Sequence, residues 1–165
     1  MSTEREHTIR WHDTGAFSTA IRERPGIEVL QDTIDGKLPQ APIAAALGFH
    51  LIETEHGPAV FEAEATEYLY NAGGAVHGGY YGVLLDSAFG YAIQSTLEAG
   101  TSFTTMEYKI NLVRAMTVET GRVRVEGRVI HRGGRTATAE GEIRDAADKL
   151  LGHGTTTCLI LKLKP

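Results

Sequence analysis

The chain has 165 residues, 42% apolar and 22% charged, with a formal net charge of −5; this fits one globular domain with a proper core and excludes a surface built for nucleic acid or an anionic membrane. No apolar run reaches the roughly 18 residues of a membrane span, and the N-terminal MSTEREHTIRWHD is charged rather than signal-like, so a cytoplasmic protein is expected. The single cysteine, Cys158, excludes an internal disulfide and, lying in a strand-like run, reads as a packed thiol rather than a nucleophile.

In chain order, residues 1–13 read as a loose solvated tail. A helical pattern then runs from Ala16 to Arg24, is interrupted at Pro25-Gly26, and resumes from Ile27 to Ile34. Leu38 to Pro42 is a short linker into PIAAAL, a helical turn. Residues 1–42 are therefore expected to be a tail and helical extension, and residues 43–165 the main domain. Phe49 to Glu55 and Ala59 to Thr66 read as a hairpin about His56-Gly57-Pro58, with Phe61, Ala63 and Ala65 inward and Glu62, Glu64 and Thr66 outward.

The next stretch organises the rest. NAGGAVHGG, residues 71–79, leads into YYGVLLDSAFGYAIQSTLEAG. From Tyr80 to Thr96 apolar residues occupy most sides, as in a helix covered nearly all round. One carboxylate, Asp86, stands in its middle, where an acid must be paired, hydrogen-bonded or used. Gly82 and Gly90 lie one turn either side of it, so this face is bare apart from the acid and admits another surface at close range. Each glycine weakens a helix by roughly 1 kcal/mol relative to alanine. At the helix start, His77, Gly78 and Gly79 present backbone N–H groups with no internal partner, at the positive end of the dipole, where an oxyanion can bind. Nine residues of helix separate His77 from Asp86, about 900° and roughly 13.5 Å. The two point to opposite faces. If both serve one site, a second copy of the chain must supply one of them.

After the helix, Met106, Tyr108, Ile110 and Leu112 alternate with Glu107, Lys109 and Asn111. Further strands are expected over Gly121 to His131, Thr136 to Arg144 and Leu150 to Lys162, joined by turns at Arg132-Gly133-Gly134 and Ala146 to Lys149. One long helix among five or six antiparallel strands is an α+β fold.

Asn71, His77, Gly78, Gly79, Asp86, Ala88 and Gly90 form the pattern N-x5-HGG-x6-D-x-A-x-G, with Leu84 or Leu85 as the leucine before the acid, and TTMEYKINLVRAMT follows at residues 104–117. Together they resemble the hotdog-fold acyl-CoA thioesterases of the phenylacetate-pathway (PaaI-like) group, over roughly Ile43 to Leu161. Ala115 departs from the proline usual after the arginine, a change confined to a turn. The resemblance implies a sheet wrapped around the central helix, an acyl-CoA substrate, no separate cofactor, and a homodimer with shared sites assembled further into a homotetramer. It also implies that Asn71 positions water or the thioester oxygen, that His77 orients Asn71, and that Thr104 or Thr105 holds the water.

The chemistry is consistent with the residues. A thiol leaves with a pKa of about 8.5 and needs little acid assistance, so one carboxylate suffices: Asp86 activates water or attacks directly, while Gly78 N–H polarises the carbonyl. Gly79, Gly82 and Thr104 would flank the substrate, and Arg114 and Arg135 are candidate contacts for its phosphates. The other histidines have no metal-ligand spacing, and no GxxxxGK loop occurs. A hotdog hydratase, with histidine five residues after the aspartate, would need one where Tyr91 stands. The alternative is a non-catalytic acyl-CoA-binding or sensing module, against which the presence of Asp86 weighs.

Overall fold

Period-two alternation and the long apolar helix assemble as the sequence leads one to expect. The computed structural model describes residues 3–164. Three short helices, α1 (Gly15–Glu23), α2 (Gly26–Ile34) and α3 (Pro42–Leu47), precede the hairpin β1 (Phe49–Thr54) and β2 (Pro58–Glu64). The long helix α4 (Gly78–Gln94) follows, then β3 (Thr101–Leu112), β4 (Arg122–Arg132), β5 (Thr136–Asp145) and β6 (Leu150–Lys162). The six strands form one sheet in the order β1-β2-β4-β5-β6-β3, with every neighbouring pair antiparallel. The sheet curls about α4, which packs on β2, β3, β4, β5 and β6. This is the hotdog fold, α+β in class.

The core lies between helix and sheet. Leu84, Leu85, Ala88, Phe89, Ala92 and Ile93 of α4 are fully buried against Phe61, Val125, Ala139 and Ile143 of the strands. Backbones meet directly at β4, where a Cβ on Gly127 would stand 2.3 Å from the Ala88 carbonyl oxygen. Only glycine permits that approach.

The leading helices close the far end of α4. Gly26 N–H donates to Leu97 O at 2.8 Å, and a Cβ on Gly26 would lie 1.9 Å from Gln94 O. Phe17, Ile21, Val29, Leu38 and Leu163 complete a small apolar cluster there. Residues 3–13 have no regular structure and are exposed, although Arg5 pairs with Glu67 at 3.2 Å and His7 stacks on Tyr68.

Local structure differs from the sequence reading in two places. Short 3-10 turns, Glu67–Leu69 and Val118–Thr120, were not legible. More consequentially, β3 begins earlier, at Thr101, and its alternation breaks: the register against β6 slips between Thr105 and Glu107. Met106 is the extra residue of a β-bulge and is 61% exposed. The bulge changes which residues face α4, from Phe103 and Thr105 before it to Tyr108, Ile110 and Leu112 after it.

Candidate active site

The bare face of α4 is covered by β3. A Cβ on Gly78 would meet Leu112 Cδ1 at 2.9 Å, one on Gly82 the Tyr108 hydroxyl at 3.1 Å, and one on Gly90 the Phe103 ring at 2.5 Å. The fourth position of this stripe is Asp86, and Thr105 Oγ1 donates to its Oδ1 at 2.8 Å. The half-buried carboxylate is thus held by one hydroxyl, and its other oxygen accepts no hydrogen bond from the described residues. Thr104, the next residue along the strand, points to the opposite face and is exposed. Gly82 lies buried beneath Tyr108, where its role is to let β3 approach.

The start of α4 presents the second feature. His77 is the N-cap, and its Nδ1 accepts Gly79 N–H at 2.9 Å. A neutral imidazole that accepts at Nδ1 carries its proton on Nε2, and the residue is exposed. Gly79 N–H is therefore committed to the cap, whereas no acceptor for Gly78 N–H is present among the described residues. Gly78 is an orphan donor at the positive end of a long helix.

Asn71 and His77 are brought to one loop but have separate partners. Asn71 Oδ1 accepts Gly73 N–H at 2.8 Å, and the Asn71 backbone bonds to Ala75 O and Gly74 N–H. His77 N–H donates to Leu69 O, and Val76 N–H to Met116 O. A residue that the sequence does not single out organises this region: Tyr81 is 2% exposed, and its hydroxyl donates to Arg114 O and accepts Met116 N–H, both at 2.8 Å. It clamps the turn after β3, and through Met116 O the loop that carries His77. Burial raises its phenol pKa above the ordinary value, so it stays neutral and able to donate. Its sequence signal was slight, a tyrosine in a run of apolar residues.

Arg114 and Arg135 do not converge within one chain. Arg135 O accepts Ile160 N–H, beside the Thr104 end of β3, while Arg114 follows Leu112 at the other end. Eight residues of strand, roughly 25 Å, lie between these ends.

A family model for the thioesterase superfamily matches residues 73–151, the span holding the α4 entrance, Asp86 and Thr105. A protein of Saccharolobus solfataricus whose name describes an esterase is 31% identical over 118 residues, 72% of this chain and 82% of that protein. This chain belongs to the thioesterase superfamily. The thioesterase is also 28% identical to the 1,4-dihydroxy-2-naphthoyl-CoA hydrolase of Listeria monocytogenes, over 70% of this chain and 93% of that enzyme. A phenylacetic-acid-degradation-related protein of Ralstonia eutropha superposes with a TM-score of 0.72 at 26% identity, covering 79% of this chain and 98% of the other. The likeness to the phenylacetate-pathway group therefore holds in structure as well as in motif. The enzyme is a thioester hydrolase, and among the described residues no helix is long and apolar enough to cross a membrane.

Proposed function

We propose that this thioesterase hydrolyses acyl-CoA thioesters with short, medium or aryl acyl groups to the free acid and CoA, with Asp86 as general base or nucleophile. The observation that carries this reading is the Thr105–Asp86 hydrogen bond at 2.8 Å on a glycine-lined helix face. Along the water route, Asp86 takes a proton as water attacks the thioester carbon. The oxyanion accepts a backbone N–H, the C–S bond breaks, and the thiolate recovers the proton. Along the other, the Asp86 carboxylate attacks the thioester carbon and expels CoA thiolate, leaving a mixed anhydride; water then opens the anhydride to the free acid and the regenerated carboxylate, and the proton released goes to the thiolate. An aryl acyl group is supported by the name of the Listeria relative, which describes a hydrolase of an aryl-CoA.

One chain cannot supply both groups to one carbonyl. Gly78 and Asp86 lie eight residues apart in α4, about 12 Å along its axis, whereas a reacting carbonyl must sit roughly 3 Å from each. The reading therefore pairs Asp86 with Gly78 of the partner subunit in a two-fold dimer. The edge strand β3 is suited to make it, with Met106, Tyr108, Leu112 and Val113 all exposed and a free ladder edge. In each chain Asp86 sits beside Thr105 and Gly78 beside Leu112. Bringing Asp86 to the partner's Gly78 then centres an antiparallel β3 pairing near Tyr108 and Lys109. That register also carries the partner's Arg114 toward Phe103, near the Arg135 end, offering two cations to CoA phosphates. Two such dimers would form the homotetramer.

The test is thiol release from a panel of acyl- and aryl-CoA thioesters, wild type beside Asp86→Asn. Turnover by wild type and a fall of about 10³-fold or more in the variant are expected. Binding of CoA esters without turnover by either would make this a binding module, and equal turnover by both would remove Asp86 from the chemistry.

A further inference from the structure

The N-terminal extension does more than close the end of the helix. Asp13, Thr14 and Phe17 from the start of α1, Pro39 to Pro42 from the linker, and Tyr91 of α4 enclose a cavity of about 150 Å³. All its walls except Tyr91 lie outside residues 73–151, the span that the family model matches. The linker wall is held firmly, because the Gln40 side-chain amide bonds both N–H and O of Leu51. Phe17 and Tyr91 stack with centroids 6.2 Å apart, and Tyr91 leans on Phe61 at 5.2 Å.

Position relates this cavity to Asp86. The side chains of α4 left half-exposed after Gly79 are Val83, Asp86, Ser87 and Tyr91. At about 100° per residue they share a sector of about 140°, with Asp86 at one border and Tyr91 at the other. The helix rises about 7.5 Å from the carboxylate to the tyrosine, and the turn of about 140° adds about 4 Å sideways at the Cα radius, about 9 Å in all. A thioester carbon some 3–3.5 Å from the attacking atom would place the end of a one-ring acyl group at that depth. Size agrees, since a dry apolar cavity of roughly 150 Å³ admits benzene. The Tyr91 hydroxyl, moreover, makes no hydrogen bond with the described residues, and burial pushes its pKa up to about 12. It remains a neutral donor on a residue that lines the cavity.

We propose that this cavity is the acyl-specificity pocket, that it receives a ring-sized acyl end, and that Phe17 and Tyr91 set the size limit. The proposal rests on the acyl-CoA reading above and narrows it. The N-terminal extension is then part of the substrate site.

Phe17→Ala, Tyr91→Ala, Tyr91→Phe and the pocket-filling Ala41→Phe would be assayed for kcat/KM on acetyl-, phenylacetyl- and 2-naphthylacetyl-CoA, each normalised to acetyl-CoA. An added or missing methylene in such a pocket is worth roughly 10-fold or more. Both alanine variants at the aromatic walls should therefore raise the naphthylacetyl-to-phenylacetyl ratio by about 10-fold or more. Tyr91→Phe should keep the wild-type ranking, and Ala41→Phe should lower the phenylacetyl value by about 10-fold. Ratios unchanged in Phe17→Ala, Tyr91→Ala and Ala41→Phe would overturn the pocket. Calorimetry with the matching S-alkyl-CoA thioethers separates the two ideas. If wild type hydrolyses nothing, a size ranking that still moves with the variants upholds the pocket while the hydrolase reading fails. A ranking that stays put ends the pocket proposal whether or not there is turnover.

Discussion

Gly78 combines features that let one substitution isolate its N–H group. It occupies the first position of α4, where proline is tolerated because its missing donor has no helical partner anyway. His77 before it has φ −62° and ψ 136°, the extended conformation that a following proline requires. The ring would press on the Leu112 Cδ1 methyl, the far end of a flexible side chain. Gly78→Pro should thus keep the fold and thermal midpoint nearly unchanged while lowering kcat by about 10²- to 10³-fold, the usual effect of losing one oxyanion donor. A circular dichroism melt beside a thiol-release assay checks it; full activity would move the oxyanion site elsewhere. Thr105→Val removes only the hydroxyl that holds Asp86. Hydrogen bonds to charged groups are worth about 1.5–3 kcal/mol, so a loss of roughly 10- to 100-fold in kcat is expected, whereas Thr104→Val, on the outward face, should leave kcat near wild type.

Where α4 meets the sheet, the glycines on the two sides play different parts although the sequence presents them alike. At Gly90 a new methyl meets the outer edge of the Phe103 ring, 2.5 Å away, and that ring can swing. At Gly127 the obstacle is the Ala88 carbonyl oxygen, 2.3 Å away, which cannot move without moving the helix. Gly127→Ala should cost about 3 kcal/mol or more, at or beyond the upper end for overpacking. In Gly90→Ala the improved helix propensity, about 1 kcal/mol, offsets much of the clash. Urea unfolding of the two variants gives the comparison, and equal midpoints would mean that the sheet does not approach α4 this closely. Gly90→Ala should nevertheless reduce kcat, since Phe103 is two residues from Thr105 on the same strand. The bulge at Met106 belongs to this scale as well. Without that extra residue, Thr105 would share a face with Glu107 and Lys109, and two charged side chains would be turned onto the helix.

At the scale of the whole molecule, the proposed sharing of a site between two protomers has a consequence that a single-chain site lacks. Asp86→Asn and Gly78→Pro should each be inactive alone. Unfolded together and refolded, they form mixed dimers in which one of the two sites carries both defects and the other carries neither. Random pairing should restore about a quarter of wild-type activity. No recovery, with light scattering still showing dimers, would confine the site to one chain.

Much of the site's raw material was legible locally. The apolar run from Tyr80 onward, its lone acid, the flanking glycines and the HGG entrance determined α4, its N-terminal donor and Asp86, because helix periodicity and capping act over a few residues. The alternating runs determined the strands for the same reason. What covers the glycine face was decided only by folding, since β3 reaches it by pairing at the sheet's edge with β6, the last strand of the chain. Tertiary structure also decided which threonine meets Asp86: the register against β6 slips by one residue at Met106, and one residue of slip exchanges the faces of a strand. It separated Arg114 from Arg135 by the length of β3. And it brought Phe17 and Pro39 against Tyr91, joining segments that sequence periodicity could describe only one at a time.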